Sequence, residues 1–159
     1  MFAVTLAVVS ALPAASTSAR IRKVYVGSDG EAHLVDSTGH ERTIPKEQNQ
    51  VGVSAPKVAA DGQIAGWLIE EDNCCTSYTI PTSLIIYRGG KKLRVSDGLM
   101  IYDWCFVARG SRVALSTGTV HGMTSRHFLL YDSRNGRRLL EWTGTPDKTP
   151  PEWAKDLRQ

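Results

Sequence analysis

The residues of this 159-residue chain whose chemistry could go beyond packing are its three cysteines and four histidines. Two cysteines are adjacent in the polar stretch Asp72-Asn73-Cys74-Cys75-Thr76-Ser77-Tyr78, and the third follows in Asp103-Trp104-Cys105. Such thiols can form a disulfide, bind a soft metal or act as a nucleophile. A relaxed disulfide needs Cα atoms about 4.4 to 6.8 Å apart, whereas neighbours joined by a trans peptide are only about 3.8 Å apart. A vicinal bridge is therefore strained, and Cys105 is the expected partner. Cys75–Cys105 is favoured and Cys74–Cys105 is the alternative, ahead of a vicinal bridge or free thiols. A structural staple of this kind contributes roughly 2 to 4 kcal/mol. Structural zinc sites use four ligands at characteristic spacings. No Cys-x-x-Cys or His-x-x-x-His occurs, so no metal and no cofactor is expected. A nucleophilic pair would use Cys74 or Cys75 with His121 as base and Asp103 orienting it. That makes a small thiol-dependent enzyme, a hydrolase or redox protein, the second functional reading.

Positioning these residues falls to short strands and tight turns. Asp29-Gly30, Asp61-Gly62, Gly89-Gly90, Gly110-Ser111 and Asn135-Gly136 separate apolar or alternating runs, the pattern of β-hairpins whose glycine supplies a positive φ. A three-stranded meander is expected from Lys23 to Ile44, with 45–54 as a connecting loop. A four-stranded unit follows from Pro56 to Val95, and another runs from Asp103 to Trp142. In an up-and-down unit, the loop between strands two and three lies beside the start of the next unit's first strand. Cys74, Cys75 and Cys105 should then share one end with the loop from Thr117 to Arg126. Asp72, Asn73, Cys74, Tyr78, Asp103, His121 and His127 form the candidate binding rim there.

The two larger units repeat. Val58 aligns with Val107 and Ile64 with Val113, while Tyr87 aligns with Tyr131 across a shorter loop. Leu34 to Gly39 echoes Leu130 to Gly136 as a third copy of the outer hairpin. Four strands recurring at about 40 to 50 residues are the mark of propeller blades. Val58-Ala59-Ala60-Asp61-Gly62-Gln63-Ile64-Ala65, with Leu84-Ile85-Ile86-Tyr87 and Gly90-Lys91 after it, resembles the WD-like repeat of TolB-type periplasmic β-propellers. That resemblance implies a fold of antiparallel blades and a role in binding other proteins. Two full units and a partial one are too few to close a ring, for which about four blades are needed. The fold class is thus all-β meander repeats, propeller-blade-like, either packed face to face as an open assembly or completed by oligomerisation.

Composition sets the remaining bounds. Hydrophobic content of 42% with 22% charged residues is that of an ordinary globular chain. The net charge of +3 is spread without clustering, which argues against a nucleic-acid partner. Positions 1–19 carry no charged side chain. An apolar run followed by small residues reads there as a secretory signal, too short for a spanning helix. The expected organisation is a signal at 1–19, a β-repeat domain at 20–142 and a Pro-rich tail at 143–159. Pro151 and Glu152 should start a short helix in that tail, with Trp153 and Leu157 on one side. The protein is expected to be exported, to the periplasm or beyond. Its first functional reading is a non-enzymatic module that binds a protein or envelope component through one rim, with a protein partner or a second copy of itself.

Overall fold

A computed structural model of the protein describes residues 19–122 and 125–157. The signal expected at 1–19 therefore lies outside the described residues except for Ala19. Among the described residues, eleven strands form three antiparallel sheets in chain order. The first sheet is β1 (Ile21–Val26), β2 (Ala32–Asp36) and β3 (Glu41–Ile44). The middle sheet is β4 (Gly52–Val58), β5 (Ile64–Glu71), β6 (Ile80–Arg88) and β7 (Lys91–Val95). The third is β8 (Met100–Val107), β9 (Arg112–Gly118), β10 (Arg126–Asp132) and β11 (Arg138–Gly144). Each is a meander in which neighbours in sequence pair in space. The all-β, three-unit expectation is what the chain adopts. Among the described residues, no helix is long and apolar enough to cross a membrane.

The middle sheet is the core layer. Its strands β5 and β6 carry near-continuous apolar runs, and every residue from Ile64 to Ile69 and from Ser83 to Tyr87 is buried. Side chains alternate between sheet faces, so such a run signals burial on both. Ile64, Leu68, Leu84 and Ile86 pack against Ile101, Trp104, Val113, Leu115, Leu129 and Tyr131 of the third sheet. Ala65, Trp67, Ile69, Ile85 and Tyr87 pack instead against Val24, Ala32, Leu34 and Ile44 of the first. Gly66 faces the third sheet without a side chain. A Cβ there would lie 2.8 Å from Trp104 Cη2 and 2.9 Å from the Ile85 carbonyl oxygen, so the glycine is what lets the indole lie against β5. The Trp104 ring N–H donates to the Ala55 carbonyl at 3.0 Å.

The two outer faces are finished differently. On the first sheet, Tyr25 pairs with His33 and His33 with Thr43, and Lys23 and Glu41 share their face. That surface is polar, and in a stack of repeats a polar outer face ends the series. On the third sheet, Ala114, Phe128 and Leu130 point away from the middle sheet yet are almost fully buried. Trp142 stacks on Phe128 with ring centroids 5.4 Å apart. The tail crosses this side. Its single 3-10 turn, Glu152–Ala154, contacts β9, and Ala154 is 1% exposed.

Two of the strand boundaries that differ from the sequence reading bear on the site. Strand β4 begins at Gly52, inside the stretch expected to be loop, because Ala55 takes a φ of 48° and a register shift between Ser54 and Lys57 interrupts the alternation. Strand β8 begins at Met100, three residues before Asp103.

Candidate functional site

In an antiparallel meander, alternate connections fall at opposite ends. The connections at 45–51, 72–79 and 96–99, and the described residues 119–122 after β9, therefore gather at one end of the middle and third sheets. Gly52 pairs with Glu70, Glu71 with Ile80 and Met100 with Gly118, which fixes those strand ends at this rim. The rim carries two of the chain's exposed large apolar side chains, Tyr78 at 61% and Val51 at 48%. Between the 45–51 and 72–79 connections lies an open, mostly polar cleft of about 460 Å³, lined by Asn49, Gln50, Val51, Glu71 and Asp72. Glu71 is anchored by the Thr82 hydroxyl and by Arg94 at 2.9 Å. Burial pushes its carboxyl up, but these two donors together hold it below the usual glutamate value.

The 72–79 connection is held by few bonds of its own. The Asn73 side-chain oxygen accepts from the Cys75 N–H at 3.3 Å, and the Thr76 hydroxyl donates to the Tyr78 carbonyl at 2.6 Å. Cys74 and Cys75 are exposed free thiols whose sulfurs lie 2.6 Å apart. The neighbouring Cys74 sulfur pushes the Cys75 thiol up from its ordinary value. Cys105 is also free. The structure places Cys105 away from the two thiols with which the sequence reading paired it, Cys75 first and Cys74 as the alternative. Because β8 starts at Met100, Cys105 is its sixth residue and stands roughly 16 Å from the rim end at about 3.3 Å per residue. Cys105 is half-buried beneath the tail. Its thiol is pushed up first by burial, with Lys57 opposing and Asp103 and Asp156 adding to the rise.

Asp103 is likewise drawn away from the rim. Its carboxylate accepts from Lys57 at 3.1 Å and from the Trp104 N–H at 2.7 Å. Lys57 also donates to the Trp104 carbonyl and sits 5.1 Å from the centre of its ring. Asp103 is therefore part of a tie between the middle and third sheets. His121 is exposed in a turn closed by Gly122 N–H donating to the Thr119 carbonyl at 3.0 Å. Among the described residues no hydrogen bond joins His121 to Cys74 or Cys75.

His127 stands at the rim, and its surroundings hold residues that sequence reasoning missed. Its Nδ1 lies 2.9 Å from Thr117 Oγ1, which donates to Asp97 at 2.9 Å, and its Nε2 lies 3.0 Å from Glu141. The His127 bond is the main reason the Glu141 carboxyl lies below its ordinary value. This chain of bonds ties β9, β10 and β11 to the 96–99 connection. The strand register His127↔Thr117 and His127↔Thr143 could have revealed part of it, but Asp97 reads in sequence only as a turn residue.

A second histidine cluster, on the first sheet, was also missed. His33 lies 3.0 Å from Asp29 through Nε2 and 3.0 Å from Glu41 through Nδ1, and the Tyr25 ring stacks on it at 5.1 Å. Tyr25 donates to Glu41 as well. The Asp29 contact, followed by Glu41, raises the imidazole above its ordinary value despite some desolvation. The signal was the Asp29-Gly30 turn, whose register sets Tyr25 opposite His33.

No protein-family model and no curated protein matches the chain. Among solved structures, Kuenenia stuttgartiensis hydrazine synthase is similar over 74% of this chain and 32% of that one, with 16% sequence identity and a TM-score of 0.49. The chain thus spans about a third of the length of the protein it matches.

Proposed function

We propose that this chain is an exported, non-enzymatic β-repeat module that docks a protein or envelope component on the rim formed by the 45–51, 72–79 and 96–99 connections together with residues 119–122. The observation that carries this reading is the exposure of Tyr78 and Val51 on the same rim, where Val51 lines a mostly polar cleft. Interface centres favour tyrosine and other large side chains ringed by polar groups. Loops set on a rigid scaffold are the usual carriers of recognition. The resemblance of Val58 to Lys91 to TolB-type repeats points the same way, since such repeats bind other proteins.

The test is site-directed photocrosslinking in the cell envelope of the producing cell. A photoreactive residue at position 78 should give one discrete adduct, and the same residue at Gln63, at the opposite end of β5, should give none. Val51→Asp should remove the adduct without lowering the melting temperature by more than a degree or two. Adducts of equal yield from both ends, or none from position 78, would sink the proposal.

A further inference from the structure

The Cys74–Cys75 pair is the feature that docking on the rim leaves unused. Two free thiols on consecutive residues are both exposed, and their sulfurs are already 2.6 Å apart, well inside ordinary sulfur–sulfur contact. A covalent disulfide has a sulfur separation of about 2.05 Å. Closure therefore brings the sulfurs roughly half an ångström closer and strains the trans peptide between the two residues, within a connection restrained by the Asn73 and Thr76 side chains. The third thiol cannot compete from where it stands. Cys105 is half-buried in β8, beside Lys57 and Asp103 and under the tail that carries Asp156.

We propose that Cys74 and Cys75 form a reversible vicinal disulfide, a two-electron modification site opened and closed by exchange with a low-molecular-weight disulfide. The chemistry needs no further reactant. The thiolate of one cysteine attacks a sulfur of the small disulfide, forming a protein mixed disulfide and releasing one small thiolate, which takes up a proton. The neighbouring cysteine then loses its proton and attacks the protein sulfur of that mixed disulfide, expelling the second small thiolate. Two protein thiols are oxidised to one disulfide and one small disulfide is reduced to two thiols. The neighbouring Cys74 sulfur raises the Cys75 thiol from its ordinary value, which favours its protonated form. Exposed and strained disulfides are the labile class, in contrast to buried structural ones. The site stands on the thiol geometry alone and does not depend on the rim being a docking surface.

The experiment uses the reduced full chain equilibrated in buffers of graded reduced-to-oxidised glutathione ratio, quenched in acid, alkylated under denaturing conditions and digested with trypsin. Cys74 and Cys75 fall in the peptide Val58–Arg88, and Cys105 falls separately in Val95–Arg109. The expected result is that Val58–Arg88 loses both labels together in a single two-electron titration and carries no glutathione, while Val95–Arg109 stays labelled. Cys75→Ser should convert that loss into a stable glutathione adduct on Cys74, and Cys105→Ser should leave the titration unmoved. Retention of both labels at the most oxidising ratio overturns the proposal. So does a cross-linked species joining the two peptides, or abolition of oxidation by Cys105→Ser.

Discussion

Substituting Gly66→Ala tests how the middle and third sheets meet. The added methyl would lie 2.8 Å from Trp104 Cη2, 3.3 Å from Trp104 Cζ3 and 2.9 Å from the Ile85 carbonyl oxygen. Elsewhere in a strand, replacing glycine by alanine gains about 0.5 to 1 kcal/mol by restricting the unfolded chain. Overpacking a dense core costs about 1 to 3 kcal/mol. Trp104 is fully buried and held through its ring N–H to Ala55, so it cannot swing aside without breaking that bond. The clash wins, with a net loss of about 1 to 2 kcal/mol, or about 2 to 8 °C in melting temperature for a chain of this size. Trp104→Phe shortens the ring and removes both offending atoms, but leaves the Ile85 carbonyl in place. In that background the cost of Gly66→Ala should fall by about half, a coupling of about 1 kcal/mol. Urea unfolding of the four variants, followed by far-UV circular dichroism, measures it. A cost for Gly66→Ala below about 0.5 kcal/mol, or one identical in both backgrounds, would refute the fit of indole against glycine.

Three further outcomes are expected. His33→Gln should lower the melting temperature most between about pH 4.5 and 6.5, because the raised imidazole contributes fully only below its unfolded pKa near 6.5 and loses that contribution as pH rises through its folded value. On the acid side the depressed Asp29 and Glu41 lose theirs as pH falls through their folded values, so a difference between the two proteins that does not vary with pH would contradict the cluster. Ser133→Ala should cost about 1 to 2 kcal/mol in chemical denaturation, since the buried hydroxyl donates to the Gly110 carbonyl at 2.6 Å and leaves it unpaired when removed; a neutral result would mean that the carbonyl finds water. Ending the chain after Gly144 should bare the side of β8 and β9 that the Glu152–Ala154 turn covers, raise binding of a hydrophobic dye and drive self-association in sedimentation velocity, whereas a dye-silent monomer would show that the tail does not cover that face.

Much of the architecture was legible because the turns announce themselves. Asp61-Gly62 and Asn135-Gly136 sit between apolar runs, and the glycines take φ values of 67° and 70° in the structure. The uninterrupted apolar runs in β5 and β6 mark a sheet covered on both faces. What resisted reading is non-local. Ala55 adopts a left-handed conformation with no glycine to signal it, and so hid the first half of β4. Asp103 looks like a rim residue until Lys57, 46 positions earlier, is seen to claim it. Cys105 reads as a rim residue when three residues of β8 are left out of the strand, and that slip is enough to carry a thiol from the rim to the middle of the strand. His33 and His127 depend on which carboxylates the register sets beside them, and a lone imidazole in a sequence does not disclose its neighbours.

The middle sheet belongs to two apolar clusters that have no residue in common. Neither flanking sheet touches the other's cluster, so each can come away while β5 and β6 stay half covered. Native-state hydrogen exchange should then resolve two separate opening events, with the amides of β5 and β6 slowest in both. A protease would meet the same hierarchy and trim the chain from its flanks inward. The part of the molecule that endures longest under attack is thus the one with the least surface to offer a partner, while the rim stays attached to strands that any partner binding there would help to keep closed.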